Sequence, residues 1–177
     1  QGQDDVLRPG FLRKHLGVHH DPTVVLCASA AALVDDGGGS VRVRPGRVHT
    51  RSAVLAGREA RRLTHPQLAR IVLRNGNVVG APSQVSFRRD AFEAVGGFSE
   101  RFEHAADVDL WLRLVERGGA VLLHEVLGTR RVHAGAATRT HRREGAAARD
   151  RQRLAADHGG ALDEEVLAQA AAARTRW

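Results

Sequence analysis

Cysteine and aromatic residues are scarce in this sequence of 177 residues. The single cysteine, Cys27, excludes an internal disulfide, and its position in the apolar run at residues 24–28 predicts a buried, unreactive thiol. Aromatic side chains make up only 4% of the chain. Neither an aromatic RNA-binding signature nor zinc-finger spacing is present, so the sequence does not predict a member of those classes.

Long apolar segments and methionine are also lacking. The longest apolar run, residues 24–34, is interrupted by Ser29 and is too short for a membrane-spanning helix, which needs about 20 residues. No secretory signal peptide is recognisable. The chain contains no methionine and opens on Gln1, so we expect its natural start to lie upstream.

The composition is that of a globular domain with a basic surface. Apolar residues make up 42% and charged residues 27%, and the length suits one domain with a sizeable core. Lysine and arginine together number 27 against 20 acids, giving a net charge of +7. This excess favours a polyanionic partner: nucleic acid, an anionic membrane surface or a phosphorylated small molecule. All the basic residues except Lys14 are arginines, which are densest at residues 42–47, 58–62 and 139–153.

Hydrophobic periodicity and cap signals predict alternating helices and strands, and therefore an α/β fold. We expect helices at residues 10–19, 88–95 and within 98–117, and a further helix from residue 64 through 73 that ends at Asn75-Gly76. We expect strands at residues 23–34, 41–44, 83–87, 120–127 and 128–133. From about residue 140 the chain is rich in Ala, Arg and Glu and predicts helix, broken at Gly159-Gly160. His15 and His19 lie four residues apart, but no metalloprotease glutamate accompanies them, so we expect a solvated helix face.

The helix within residues 98–117 opens with two acids, Asp107 and Asp109. Its apolar residues follow the spacing of one buried helix face: Val108, Leu110, Trp111, Leu112, Leu114 and Val115. A helix N-terminus carries partial positive charge, so we expect acids there to be held ionised and aimed outward. Two interpretations stay open at this point: ordinary first-turn acids, or a general base.

Four separated motifs occur in a fixed order along the chain. They are Asp4-Asp5 before Val-Leu-Arg-Pro, residues 82–89 (PSQVSFRR) leading to residues 95–98 (VGGF), residues 106–113 (ADVDLWLR), and residues 130–133 (RRVH). Their order and spacing resemble the family-2 glycosyltransferases, which have the GT-A nucleotide-sugar fold. The resemblance extends from about Gln3 to His133.

The resemblance implies an incomplete GT-A fold, with a Rossmann-like mixed sheet flanked by helices. Residues 1–135 would be the C-terminal half of that domain, and residues 136–177 an Ala/Arg-rich helical tail. The nucleotide-binding half of the family has no counterpart before Asp4. We therefore expect this chain alone to bind nucleotide-sugar poorly and to be inactive.

The implied reaction is sugar transfer from a nucleotide-diphosphate donor to an acceptor hydroxyl, with inversion. By resemblance Asp107 is the general base, and Asp109 orients the acceptor or caps the helix. Asp4, Asp5 and His133 would hold Mg²⁺ or Mn²⁺, which neutralises charge on the departing diphosphate.

The resemblance also assigns the substrate-binding residues. Gly96 and Gly97 match a glycine loop in which the backbone approaches sugar and acceptor, although the same pair also predicts a plain helix C-terminal cap. Arg130 and Arg131 would bind the diphosphate through guanidinium groups, with one of the two facing solvent. Ala106 departs from the family, in which glutamate is usual at this position.

The acceptor implied by the resemblance is a saccharide or a lipid-linked molecule of the cell envelope. The Q-x-x-R-W motif of processive synthases is absent, which favours a non-processive cytoplasmic enzyme, with peripheral association at the inner face of the membrane as an option. No specific nucleic-acid partner is expected. The alternative classes are a basic nucleic-acid-binding module, whose affinity would fall steeply with salt, and a structural interaction module.

Overall fold

A computed structural model describes residues 5–35, 37–41, 59–131 and 145–160. The strands of this part are β1 (Val6–Leu7), β2 (Val24–Val34), β3 (Ala60–Leu63), β4 (Val85–Phe87) and β5 (Gly119–Arg131). Its α-helices are α1 (Phe11–His19), α2 (His65–Asn75), α3 (Arg89–Ala94), α4 (Ala106–Glu116) and α5 (Ala146–His158). A short 3₁₀ helix at Pro82–Gln84 precedes β4. The fold is α/β, as the sequence predicts.

The central strand of the sheet is β5. It pairs in parallel with β2, from Val24 opposite Gly119 to Val34 opposite Arg131, and in antiparallel fashion with β3 and β1. β4 pairs antiparallel with β2, which completes a mixed sheet. The sequence predicted two extended segments where β5 lies, and that division was wrong. The strand is continuous because β2 pairs with both halves of it.

The start of β2 forms the buried centre of the sheet. Residues 24–28 are at most 5% exposed, and Cys27 is fully buried, which confirms the predicted burial of that thiol. A continuous apolar run of this kind is typical of a strand covered on both faces. The two strands that flank β2 take up its backbone hydrogen bonds.

Helix α4 supplies much of the core, and its predicted apolar face is confirmed. All six apolar residues of that face are at most 2% exposed. Trp111 is fully buried and contacts the Phe87 ring of β4, with ring centroids 5.9 Å apart. Burial of each such side chain is worth about 1.5–3 kcal/mol, so this face fixes the helix firmly against the sheet.

Helix α2 has the capping box expected from its sequence. The backbone N–H of Thr64 donates to Oε1 of Gln67 at 3.0 Å, and the helix continues to Asn75 before Gly76 turns the chain with a φ of +84°. Helix α2 therefore starts as predicted and ends at the predicted Asn75-Gly76 signal. Its last turn leads into the loop that carries Asn77.

Helix α5, which lies in the predicted tail, packs on the same core. Leu154 is fully buried within the apolar cluster. The carboxylate of Asp150 is also buried and accepts the backbone N–H groups of His104 and Ala105, at 2.6 and 2.9 Å. These bonds fix the loop that enters α4. The prediction of helix is confirmed for residues 146–158, and residues 161–177 lie outside those described.

Helix α1 differs from expectation at its histidines. We predicted a solvated face, but His15 is 1% exposed and its Nδ1 lies 2.8 Å from Oγ of Ser86. His19 contacts the same hydroxyl through Nε2, at 2.9 Å. The prediction failed because Ser86, on β4, gives both imidazoles a polar partner inside the protein.

The predicted hairpin after β2 is seen only at its start. Val34 and Ser40 form an antiparallel bridge, and residues 42–50 lie outside those described. Among the described helices, none combines the length and the apolar character needed to cross a membrane.

Candidate functional site

Asp107 lies in the first turn of α4, held between that helix and the loop after α2. Its Oδ1 accepts the backbone N–H of Val108 at 2.8 Å, and its Oδ2 accepts a hydrogen bond from the side-chain amide of Asn77 at 3.1 Å. Asn77 is fixed in turn, because its Oδ1 accepts the N–H of Gly80 at 2.9 Å. Each carboxylate oxygen retains a further lone pair that could accept a proton.

The electrostatic environment of Asp107 is the opposite of the one predicted. Burial raises its pKa from 3.8 to about 6, although the backbone N–H groups of the helix, Arg130 and Asn77 all favour the charged form. The sequence predicted a carboxylate held ionised by the helix N-terminus. That prediction was wrong for Asp107, since the loss of water around it outweighs the helix and its neighbours. The result is a carboxyl group that titrates close to neutral pH.

Arg130 and Asp5 lie at the same end of the sheet. In the antiparallel pairing of β1 with β5, Val6 lies opposite Thr129. Carried one residue further, this register places Asp5 level with Arg130. The carboxylate of Asp5 accepts a hydrogen bond from Ser83, which connects the acidic motif with residues 82–89. Because Arg130 also acts on the charge of Asp107, the structure connects residues of all four motifs.

Asp109 is buried in an ion pair, so the prediction that it points outward was wrong. Its side chain is 3% exposed, and its Oδ2 lies 2.8 Å from Nε and 2.6 Å from Nη2 of Arg113. Its Oδ1 lies 3.5 Å from Nε2 of His158. Burial alone would raise the pKa of Asp109, but the contacts with His158 and Arg113 outweigh it and lower the pKa.

Gly96 and Gly97 form the C-terminal cap of α3, as one of the two interpretations of the pair predicts. The N–H of Gly96 donates to the carbonyl of Glu93 and that of Gly97 to the carbonyl of Phe92, both at 3.1 Å, which is the Schellman pattern. Their φ angles are +76° and +71°. A Cβ on Gly97 would lie 3.1 Å from the Phe92 ring, whereas one on Gly96 would meet nothing within 4 Å.

Arg113 connects this glycine turn with α4. Its Nη1 donates to the carbonyl of Val95 at 2.7 Å, and its Nη2 donates to the carbonyl of Gly97 at 2.8 Å. The turn borders a cleft of about 470 Å³, which Arg101, Asp109 and His158 also line. The glycine pair thus lies beside open space, as a substrate loop would require.

The predicted site residues divide into two groups on α4. Successive residues of an α-helix are about 100° apart around its axis, so Asp107 and Asp109 face about 200° apart. Asp107 faces Asn77 and Arg130, whereas Asp109 faces Arg113 and the glycine turn. We therefore treat Asp107 as the candidate reactive group and Asp109 as part of the support for the glycine turn.

The remaining predicted residues have separate outcomes. Arg131 donates from Nη1 to the carbonyl of Asp35 at 3.1 Å, close to the far end of β2. Ala106 packs against the apolar core, so this position brings no polar group to the site. Asp4 and His133 lie outside the described residues.

Two polar features of the structure were not predicted. Asn77 follows the Asn75-Gly76 turn, and its spacing from Gly80 is a local turn signal by which it could have been found. His65, Glu116 and His158 come together from three helices, with donor atoms within 4.8 Å of one another. Burial lowers the pKa of His65 below its usual value, Glu116 opposes this effect, and His158 adds to it. No short spacing in the sequence connects these three residues.

The chain is similar to a mycobacterial protein whose function is uncharacterized. The chain is 34% identical over 139 residues to the "Uncharacterized protein MT1568" of Mycobacterium tuberculosis, an alignment that includes 76% of this chain. The chain spans 42% of the length of that relative. No family model matches the sequence.

Proposed function

We propose that this chain is part of a glycosyltransferase similar to family 2, with a GT-A fold, in which Asp107 is the general base. The reaction would transfer a sugar from a nucleotide-diphosphate donor to the hydroxyl of a saccharide or lipid-linked acceptor, with inversion. Support comes from the order of the four motifs and from the mixed sheet of the α/β fold. Its strand β5 carries Arg130, which is close enough to Asp107 of α4 to favour the charged carboxylate.

The observation that carries the proposal is the environment of Asp107. A general base works best when its pKa lies near the operating pH, and burial raises that of Asp107 to about 6. The carboxylate would accept the proton of the acceptor hydroxyl while the hydroxyl oxygen bonds to the anomeric carbon. The bond from that carbon to the nucleoside diphosphate breaks in the same step. Val108 and Asn77 hold the carboxylate in place without using all of its lone pairs.

The divalent cation of the proposal would involve Asp5. The carboxylate of Asp5 is hydrogen-bonded to the hydroxyl of Ser83. Both side chains offer only oxygen atoms as ligands, which suits Mg²⁺ or Mn²⁺. Such an ion would neutralise charge on the diphosphate when bound. Arg130, level with Asp5 in the sheet register, adds a guanidinium group of the kind that binds phosphate oxygens.

The experiment is a donor screen with the full-length protein that contains this sequence. Release of nucleoside diphosphate from a panel of nucleotide-sugars is measured with Mn²⁺, with Mg²⁺ and with EDTA, in the presence of saccharide and lipid-linked acceptors. We expect metal-dependent release that needs an acceptor, and no effect of added DNA or RNA. Absence of transfer with every donor, together with nucleic-acid binding that falls steeply with salt, would instead support the basic binding module.

A further inference from the structure

The ends of three helices meet at a cluster of metal-ligand side chains on the side of α4 away from Asp107. His65 is the first residue of α2, Glu116 is the last of α4, and His158 is the last of α5. Oε1 of Glu116 lies 3.3 Å from Nε2 of His65 and 3.2 Å from Nδ1 of His158. We propose that these three side chains bind a Zn²⁺-type transition-metal ion.

The distances fit the edges of a tetrahedral site. With Zn–N and Zn–O bonds of about 2.0–2.1 Å, neighbouring donor atoms in a tetrahedron lie about 3.3 Å apart. Two of the three edges already have this length. All three donor atoms lie within 4.8 Å of one another, so the two imidazoles need to approach by at most about 1.5 Å to complete the third edge.

The hydrogen-bonding pattern leaves positions that an ion would satisfy. Nε2 of His65 is buried and makes no hydrogen bond among the described residues. His158 lies between two acids, with Nδ1 near Glu116 and Nε2 near Asp109 at 3.5 Å. A neutral imidazole has one N–H and can donate to only one of them. An ion on Nδ1 leaves the Nε2–H for Asp109, which is the carboxylate–histidine–metal arrangement common around zinc.

The donor set selects the kind of metal. Two imidazoles and one carboxylate suit Zn²⁺ and its first-row neighbours, whereas Mg²⁺ and Ca²⁺ prefer oxygen ligands alone. This site is therefore distinct in chemistry from the oxygen-donor site proposed at Asp5. Three protein ligands leave a fourth position, and because Glu116 and His158 also line the cleft, the ion would be reachable from it.

Binding at this point would join three helices and support the glycine turn. The ion fastens the start of α2 to the ends of α4 and α5, and its ligand His158 lies against Asp109. Asp109 in turn pairs with Arg113, which donates to the carbonyl of Gly97. The proposed metal thus stabilises the wall of the cleft and takes no part in proton transfer at Asp107.

The test is metal binding by this chain, purified and stripped with a chelator. Calorimetric titration with ZnCl₂ and visible absorption with CoCl₂ are compared for the wild type, Glu116→Gln and His65→Gln. The control is His124→Gln, which changes an exposed histidine on β5. We expect one tight site with the absorption of tetrahedral cobalt, weakened at least about 100-fold in both cluster variants and unchanged in the control.

Thermal unfolding supplies a second measurement that does not depend on spectroscopy. Zn²⁺ at about 100 times its Kd should raise the Tm of the wild type by roughly 5–10 °C and leave Glu116→Gln unmoved. Without metal the two proteins should unfold within a few degrees of each other, because Glu116 is half exposed. Zinc binding that survives in either cluster variant, or the absence of a tight site in the wild type, would overturn the proposal.

Discussion

The carboxylate of Asp109 is buried and forms an ion pair with Arg113, so removal of the guanidinium group should destabilise the protein. We consider Arg113→Met, which keeps most of the aliphatic stem and removes the guanidinium group. The change leaves the carboxylate of Asp109, 3% exposed, with His158 at 3.5 Å as its remaining described partner. It also removes the donors to the carbonyls of Val95 and Gly97.

Breaking a buried pair by removing one partner costs about 3–5 kcal/mol. For a chain of this length that corresponds to a fall in Tm of roughly 6–20 °C. The double variant Asp109→Leu/Arg113→Met should be more stable than Arg113→Met alone, because no buried charge is left without its counterion. Since the pKa of Asp109 is lowered, the stability that its ionised form contributes is present above its ordinary pKa and is lost as the pH falls through the lowered value.

The assay is urea unfolding followed by circular dichroism at neutral and acidic pH. Arg117→Met is the matched control, because Arg117 is exposed one residue beyond the same helix, and its cost should stay within about 0.5 kcal/mol. A cost below about 1 kcal/mol for Arg113→Met, or a double variant less stable than the single one, would show that the Asp109–Arg113 pair is not a stabilising buried ion pair.

Three further predictions concern the glycine turn, helix α5 and Asp107. Gly96→Ala should cost about 1–2 kcal/mol of stability, because the backbone at this position is left-handed. Gly97→Ala should cost more, because its Cβ would also press on the Phe92 ring. Equal losses of stability in thermal unfolding would contradict this prediction. Leu154→Ala should destabilise the chain by about 2–5 kcal/mol in chemical unfolding. The control is Gln152→Ala, which changes an exposed residue of the same helix. A loss of stability as small as that of the control would mean that α5 is not part of the core. Because the pKa of Asp107 is raised from 3.8 to about 6, its contribution to stability falls as the pH rises through that window. Between those two pH values, Asp107→Asn should therefore lose less stability than the wild type. Parallel plots of unfolding free energy against pH for the two proteins would show that the carboxyl group titrates normally.

Much of the fold could be predicted from local signals in the sequence. The apolar face of α4, the capping box of α2 and the glycine cap of α3 each depend on residues within a few positions of one another. The continuity of β5 could not be predicted in this way. It depends on pairing with β2, about 95 residues earlier in the chain, and such a long-range partner leaves no local pattern.

The sequence identified Asp107 and Asp109 as candidates, but neither Asn77, which holds Asp107, nor the electrostatics of the two acids could be predicted from it. The motif of residues 106–113 identifies Asp107 and Asp109 as neighbours in sequence, yet they face different sides of α4 and have opposite pKa shifts. The sign of each shift depends on burial and on distant partners: Asn77 for one acid, and His158 for the other. Helix position alone gives the same expectation for both acids, which is why it failed.

The proposed role of Asp107 as general base is tested by comparing Asp107→Asn with Asp90→Asn in the transferase assay of the full-length protein. Asp90 is the matched control, since it is an exposed first-turn acid of α3 whose Oδ1 accepts the next backbone N–H at 2.8 Å, as that of Asp107 does. If Asp107 is the base, Asp107→Asn should lower kcat by roughly 10²- to 10⁴-fold with donor KM nearly unchanged, and should remove a pH limb at about 6. Asp90→Asn should leave kcat and donor KM unchanged. Full turnover in Asp107→Asn, with the pH limb intact, would show that Asp107 is not the base.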